Sequence, residues 1–118
     1  MKTTDYLVKS MTKDGKFRAY AVNATQLVEK AHKIHDTWSA SSAALGRTLV
    51  GTLLLATAGL QGEAGMTVKI QGNGPVGYIV ADGTAKGTVK GYMGNPHVNL
   101  PSNDKGKIDV AGAVGTKG

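Results

Sequence analysis

Cysteine does not occur among the 118 residues, so a disulfide framework, a thiolate metal site and a cysteine nucleophile are all excluded within this chain. Aromatic residues are few: four tyrosines, with Phe17 and Trp38 as the only others. Arginine is limited to Arg18 and Arg47, which leaves little planar, forked chemistry for gripping phosphate or guanine. The N-terminus Met1-Lys-Thr-Thr-Asp-Tyr-Leu7 lacks the apolar stretch of a signal peptide, and a cytoplasmic location is the expectation that follows.

The residues that are plentiful point to a folded domain. A hydrophobic share of 41% against 19% charged is enough for one modest core, and one domain, or part of one, is expected. Seventeen glycines, about twice the usual share, fall between apolar runs without a triplet period and imply many tight turns. The formal net charge is +6, but the lysines are spread along the chain from Lys2 to Lys117. A solvated surface is the leading reading of that charge. The alternative is a basic nucleic-acid-binding module using Tyr20, Tyr78 or Tyr92 as stacking platforms.

Two β-prone runs, Tyr6 to Met11 and Phe17 to Val22, flank Asp14-Gly15 and predict a hairpin. Asn23 or Thr25 offers a helix cap, and Leu27, Val28, Ala31 and Ile34 recur at helical spacing, which predicts an amphipathic helix over Ala24 to His35. Ser39 to Leu60 contains no proline and only Arg47 as a charge, so it reads as a long, buried helix that is apolar almost all round. A membrane span is the rival reading; Arg47 interrupts it, and Thr48 to Leu60 is short for a bilayer core of about 30 Å. No membrane partner is expected. Gly46, Gly51, Ala56 and Gly59 are read as points where another backbone approaches closely. Three further β-prone segments, Met66 to Gln71, Val76 to Ala81 and Gly87 to Met93, predict an antiparallel meander joined by Gly72–Pro75 and Asp82–Ala85. The fold class expected is therefore α+β: a hairpin and a three-stranded meander packed on a long apolar helix and a shorter amphipathic one. Asn95 to Pro101 reads as an extended loop and Ser102 to Lys107 as a polar turn.

Gly72, Gly74 and Gly77 spell the G-x-G-x-x-G pattern of a dinucleotide site. That site needs a helix after its third glycine, whereas Tyr78-Ile79-Val80-Ala81 is strand-like and Pro75 lacks an amide, so Gly72, Gly74, Pro75 and Gly77 are assigned to a turn. His32 and His35 share a helix face beside Asp36, but His97 is far along the chain. Helix C-terminal cations explain them better than a metal site, and no metal is expected here. Arg47 needs a partner such as Asp5, Asp82 or Asp109, an anion, or a route to solvent. Ser39, Ser41 and Ser42 lie in no nucleophile elbow, and no carboxylate pair can be nominated, so no enzyme is expected.

The ordered segments Asp5-Tyr-Leu-Val-Lys9, Gly15-Lys-Phe-Arg-Ala-Tyr-Ala21, His35-Asp-Thr-Trp38, Ser42-Ala-Ala-Leu-Gly-Arg-Thr48, Thr67 to Gly77, Ile79-Val-Ala-Asp82, Asn95-Pro96 and Gly106 to Val110 through Ala113 to Thr116 together resemble the N-terminal domain of the heat shock protein 33 family, the redox-regulated bacterial chaperones. The resemblance implies an ATP-independent holdase that binds unfolding proteins and prevents their aggregation under oxidative and heat stress. It implies residues 1–118 as the client-holding domain, truncated at its C-terminal end. It also implies a zinc held elsewhere in the full-length family member by four cysteine thiolates, whose oxidation releases the metal and unfolds its neighbourhood. That switch cannot be carried onto these residues, which include no cysteine. Homodimers, including ones that exchange elements, are a further implication. Val68, Ile70, Tyr78, Val80, Val89 and Met93 on the meander are the candidate client-binding residues, against the alternative that they fill the core beneath Leu49 to Leu60.

Overall fold

A computed structural model describes residues 4–118. Asp14-Gly15 turns the chain between β1 (Tyr6–Met11) and β2 (Arg18–Asn23), with Gly15 at a φ of 73° and its amide bonded to the Thr12 carbonyl at 2.9 Å. The two strands pair antiparallel, Val8 opposite Ala21, as a separate two-stranded sheet.

Helix α1 (Thr25–His35) follows directly. Its first amides are satisfied from a distance: the Asp5 carboxylate accepts from the N–H groups of Gln26 (3.0 Å) and Leu27 (2.8 Å), while the Asn23 side chain serves Thr25. The cap expected from Asn23 or Thr25 is thus supplied mainly by a residue ahead of β1, and a negative charge there also suits the helix dipole. Leu27 and Ala31 pack on the core, but Ile34 is 66% exposed, so the apolar stripe outruns the surface that covers it. The helix ends at Asp36, which adopts a left-handed φ of 51° and frees the chain to turn into the next element.

Helix α2 (Ser39–Gly59) is the spine of the molecule. It is long and apolar enough to cross a membrane by length and composition, with a mean hydropathy of 1.2 over its most apolar window. Half of that window is nevertheless buried within the fold. Its inner face carries Ala40, Ala44, Leu45 and Leu49, which meet Ile79, Ala81 and Met93 of the meander together with Val76, Val98 and Ala113, and Leu53 is buried further along the helix. Each fully buried leucine or isoleucine contributes about 1.5–3 kcal/mol of apolar transfer free energy. The hydroxyls of Thr48 and Thr57 donate to the carbonyls of Ala44 and Leu53, one turn back, so these buried polar groups are satisfied within the helix.

The meander comprises β3 (Gly65–Gln71), β4 (Tyr78–Thr84) and β5 (Val89–Met93), antiparallel in that order, so β3 and β5 are both edges. Strand β4 starts later than Val76 because Gly77, at a φ of 76°, breaks the extended run. It continues through Asp82-Gly83, where the sequence predicts a turn. Gly83 is instead a strand residue on which α2 lies: a Cβ there would stand 3.0 Å from Thr52 Cγ2 and 3.1 Å from Ala56 Cβ. The turn falls at Ala85–Gly87. After an extended loop, a short α3 (Val110–Val114), not anticipated from its Ala-Gly-Ala sequence, is capped by the Asp109 side chain, which accepts from Gly112 N–H at 2.8 Å.

Of the four small residues expected at close backbone approaches, Gly46 meets Val28 of α1 and Ala56 meets Gly83. Gly51 and Gly59 face open space. Arg47 is also corrected: it lies exposed on the outer side of α2 and makes no ion pair among the described residues. The three carboxylates suggested for it are committed elsewhere, Asp5 and Asp109 to helix amides and Asp82 to the Thr67 hydroxyl. Reaching solvent, not pairing, resolves its charge.

Candidate functional site

Antiparallel register decides which side chains share a face of the meander, because directly opposed residues point the same way. Val68 opposes Ala81 and Ile70 opposes Ile79; on the far side Ile79 opposes Met93 and Gly83 opposes Val89. These side chains form the face turned toward α2. Lys69 opposes Val80, which opposes Tyr92; Thr67 opposes Asp82, which opposes Lys90; Gln71 opposes Tyr78. These form the outer face, which no helix covers.

The six residues singled out in the sequence therefore separate. Met93 is 8% exposed and belongs to the core, and Val89 packs against that core while lining a groove of 610 Å³ between β5 and α1. Val68 and Ile70 point to the helix side at the edge strand, where cover runs out: Val68 is half-buried and Ile70 is 36% exposed. Tyr78 and Val80 stand on the outer face. The residue that completes them, Tyr92, is a candidate stacking platform by sequence but lies outside that set of six. Its signal is present in the alternation of β5, where it lies one residue from the buried Met93.

Tyr78 and Tyr92 meet edge to face, with ring centroids 6.2 Å apart and planes at 85°. Val80 sits directly across from Tyr92. Lys69 Nζ lies 5.8 Å from the centroid of the Tyr78 ring, at the limit of a cation–π contact. With Tyr78 39% and Tyr92 49% exposed, the outer face offers two rings and a β-branched side chain to solvent. Tyr20, the third ring considered with them, belongs to the separate hairpin sheet. The hairpin has exposed apolar groups of its own: Tyr6 and Val8 share one face, Met11 stands on the other, and Phe17 lies ahead of β2.

Gly72, Gly74, Pro75 and Gly77 lie in the connection from β3 to β4. Its amides are consumed internally: Gly74 N–H donates to Val114 O (3.0 Å), Val76 N–H to Ala113 O (3.1 Å) and Gly77 N–H to Gly74 O (3.1 Å). A phosphate would have to displace these bonds, and a strand rather than a helix follows.

The three histidines do not come together: His35 lines the groove between α1 and β5, and the other two are held apart from it. His32 Nδ1 lies 2.9 Å from Thr37 Oγ1 and 3.1 Å from Ser42 Oγ, a knot of side chains that ties the end of α1 to the start of α2. His97 lies 3.4 Å from an Asp36 carboxylate oxygen and packs on Trp38 at 5.1 Å between ring centroids. No group of three or more histidine, aspartate or glutamate side chains converges to hold a metal ion among the described residues.

The family model described as Hsp33 protein matches residues 5–118. The chain belongs to the heat shock protein 33 family. Among its relatives in that family, the 33 kDa chaperonin of Limosilactobacillus fermentum is 80% identical over 114 residues, which are 97% of this chain and 39% of that protein. The 33 kDa chaperonin of Enterococcus faecalis is 57% identical over 97% of this chain and 38% of its own length. The crystal structure of the 33 kDa chaperonin from Thermotoga maritima superposes with a TM-score of 0.87 at 40% identity, over 92% of this chain and 37% of that one. The chain thus spans about two fifths of the length of these heat shock protein 33 relatives.

Proposed function

We propose that this chain is the client-holding part of an ATP-independent chaperone, which binds unfolding proteins through apolar surface and keeps them from aggregating. Two things support the reading: membership of a family whose relatives bear the name 33 kDa chaperonin, and the outer face of the meander. The single observation that carries it is the Tyr78–Tyr92 pair with Val80 alongside, an exposed aromatic surface on a rigid sheet that nothing else in the described fold uses. Aromatic rings are well suited to holding unfolded segments, because they bury a large area while losing little rotamer freedom. Ile70 and Val68, at the uncovered edge of β3, extend the surface on the opposite side of the sheet.

Zinc-linked redox control does not fit these residues, which contain no cysteine and no converging metal ligands among those described. In this reading it belongs to the additional length that the relatives possess, and no step of client holding here passes through a metal. The protein acts in the cytoplasm. Dimers are favoured by the two open edges, β3 and β5, which present unpaired strand backbone to a second copy.

Light scattering from a thermally unfolding client tests the proposal. The wild-type chain suppresses aggregation; Tyr78→Ser and Tyr92→Ser each weaken client affinity by about 1–2 kcal/mol, as expected for aromatic anchors. Both rings are exposed, so circular dichroism should report unchanged folding. Equal protection by wild type and the double variant would remove the outer face from client binding.

A further inference from the structure

The outer face of the meander is not uniformly apolar, and its charges are unbalanced. Lys69 and Lys90 border the Tyr78–Val80–Tyr92 surface from opposite edge strands. Neither forms an ion pair among the described residues; the ion pairs lie elsewhere, at Lys33–Glu29, Lys86–Glu63 and His97–Asp36. The one carboxylate on this face, Asp82, accepts from the Thr67 hydroxyl. The result is an aromatic strip with a lysine on each flank and a single carboxylate, Asp82, across from Lys90, so that the face carries a net positive charge in a chain of net charge +6.

We propose that this face selects extended peptide segments in which an apolar or aromatic core is flanked by aspartate or glutamate. The inference rests on the client-holding reading and names the class of client. The spacing suits such an occupant. An extended segment laid across the strands over Val80 follows the row Lys69–Val80–Tyr92, with Tyr78 beside it and Lys90 one row further along β5, so its apolar side chains reach the rings and its flanking carboxylates reach Lys69 at one end and Lys90 at the other. Single-stranded nucleic acid is the other polymer that aromatic rings and lysines can hold. The face favours peptide over nucleic acid in two respects: the rings stand edge to face and present no parallel platforms, and arginine is absent from it.

Fluorescence anisotropy at low salt tests this on the 118-residue chain with three labelled peptides that share one aromatic core and carry glutamate, glutamine or lysine flanks, beside a labelled oligothymidylate. The glutamate-flanked peptide binds about five-fold tighter than the glutamine-flanked one, the gain expected from two exposed ion pairs. The Lys69→Gln/Lys90→Gln double variant removes that preference, so that the glutamate- and glutamine-flanked peptides bind alike. The Tyr92→Ser variant weakens all three peptides alike. Equal affinity for glutamate and glutamine flanks, with Tyr92→Ser still harmful, overturns the charge selection and leaves client holding intact. Failure of every peptide to bind overturns both. Oligothymidylate binding that is stronger than peptide binding and lost in the lysine variant overturns the peptide assignment in favour of nucleic acid.

Discussion

The Ser41 hydroxyl accepts the Val98 N–H at 3.0 Å, while the Val98 carbonyl accepts the N–H groups of Ala40 and Ser41 at 3.2 and 3.3 Å. Trp38 at the N-cap of α2 provides no side-chain acceptor, so the loop at Val98, 57 residues beyond Ser41, does the capping. Ser41 is fully buried and also donates to the Asn95 carbonyl. Ser41→Ala leaves Val98 N–H and Asn95 O without their partner, and should cost about 1–3 kcal/mol in a urea titration. An unchanged midpoint would show that water replaces the hydroxyl.

Thr52 presents the opposite case. Its hydroxyl is buried without a hydrogen-bond partner, and its methyl already packs on Gly83. Thr52→Val keeps the shape and removes the unsatisfied group, so it should raise stability by about 1 kcal/mol, read as a higher unfolding midpoint.

Two alanine substitutions at glycine should act in opposite directions. Gly51 lies inside α2 with nothing within 4 Å of the place an added methyl would take, so Gly51→Ala should stabilise by about 0.5–1 kcal/mol. At Gly74 the same methyl would stand 2.4 Å from the Ala113 carbonyl oxygen, backbone that cannot step aside, and Gly74→Ala should destabilise by about 1–3 kcal/mol. Thermal unfolding of the pair, side by side, checks both.

The hairpin turn should respond to acid. The Thr12 hydroxyl and then the Lys16 N–H donate to Asp14 and hold its carboxyl below the ordinary value of 3.8. The folded turn favours the carboxylate more than the unfolded chain does. Its contribution is therefore present above the unfolded pKa and is lost as pH falls through the lower folded value. The amide resonances of Gly15 and Lys16 should shift in that acidic window, and Asp14→Asn should abolish the transition.

The elements are legible in the sequence because their signals are local. Asp14-Gly15 marks the hairpin, and the run without proline from Ser39 marks α2. Alternation in β3 also separates Met66, Val68 and Ile70 from Thr67, Lys69 and Gln71. Alternation within one strand cannot say which set of the next strand shares its face, since that depends on where the connection ends. Gly77 breaks the strand and starts β4 at Tyr78, placing Ile79 and Ala81 inside and Tyr78 and Val80 outside. The candidate surface drawn from sequence consequently mixes both faces and omits Tyr92. Glycine after aspartate favours a turn, which is why Asp82-Gly83 looks like one; the reason Gly83 is a strand residue, the pressure of Thr52 and Ala56, lies 27 or more positions away in the chain. Arg47 invites a carboxylate partner because its helix looks buried all round, and only the fold shows that this side of α2 is open.

The connection between β3 and β4 draws its hydrogen bonds from the far end of the chain. Asn73 Oδ1 accepts from Thr116 and Lys117, the former 43 residues later, and Gly74 and Val76 donate to Val114 and Ala113. During synthesis at about 5–20 residues per second, the loop therefore waits about 2–9 s for its partners to emerge. Over that interval Val76 and the inner rim of the meander lack the lid formed by Ala113, and the nascent chain exposes apolar surface that the completed fold conceals.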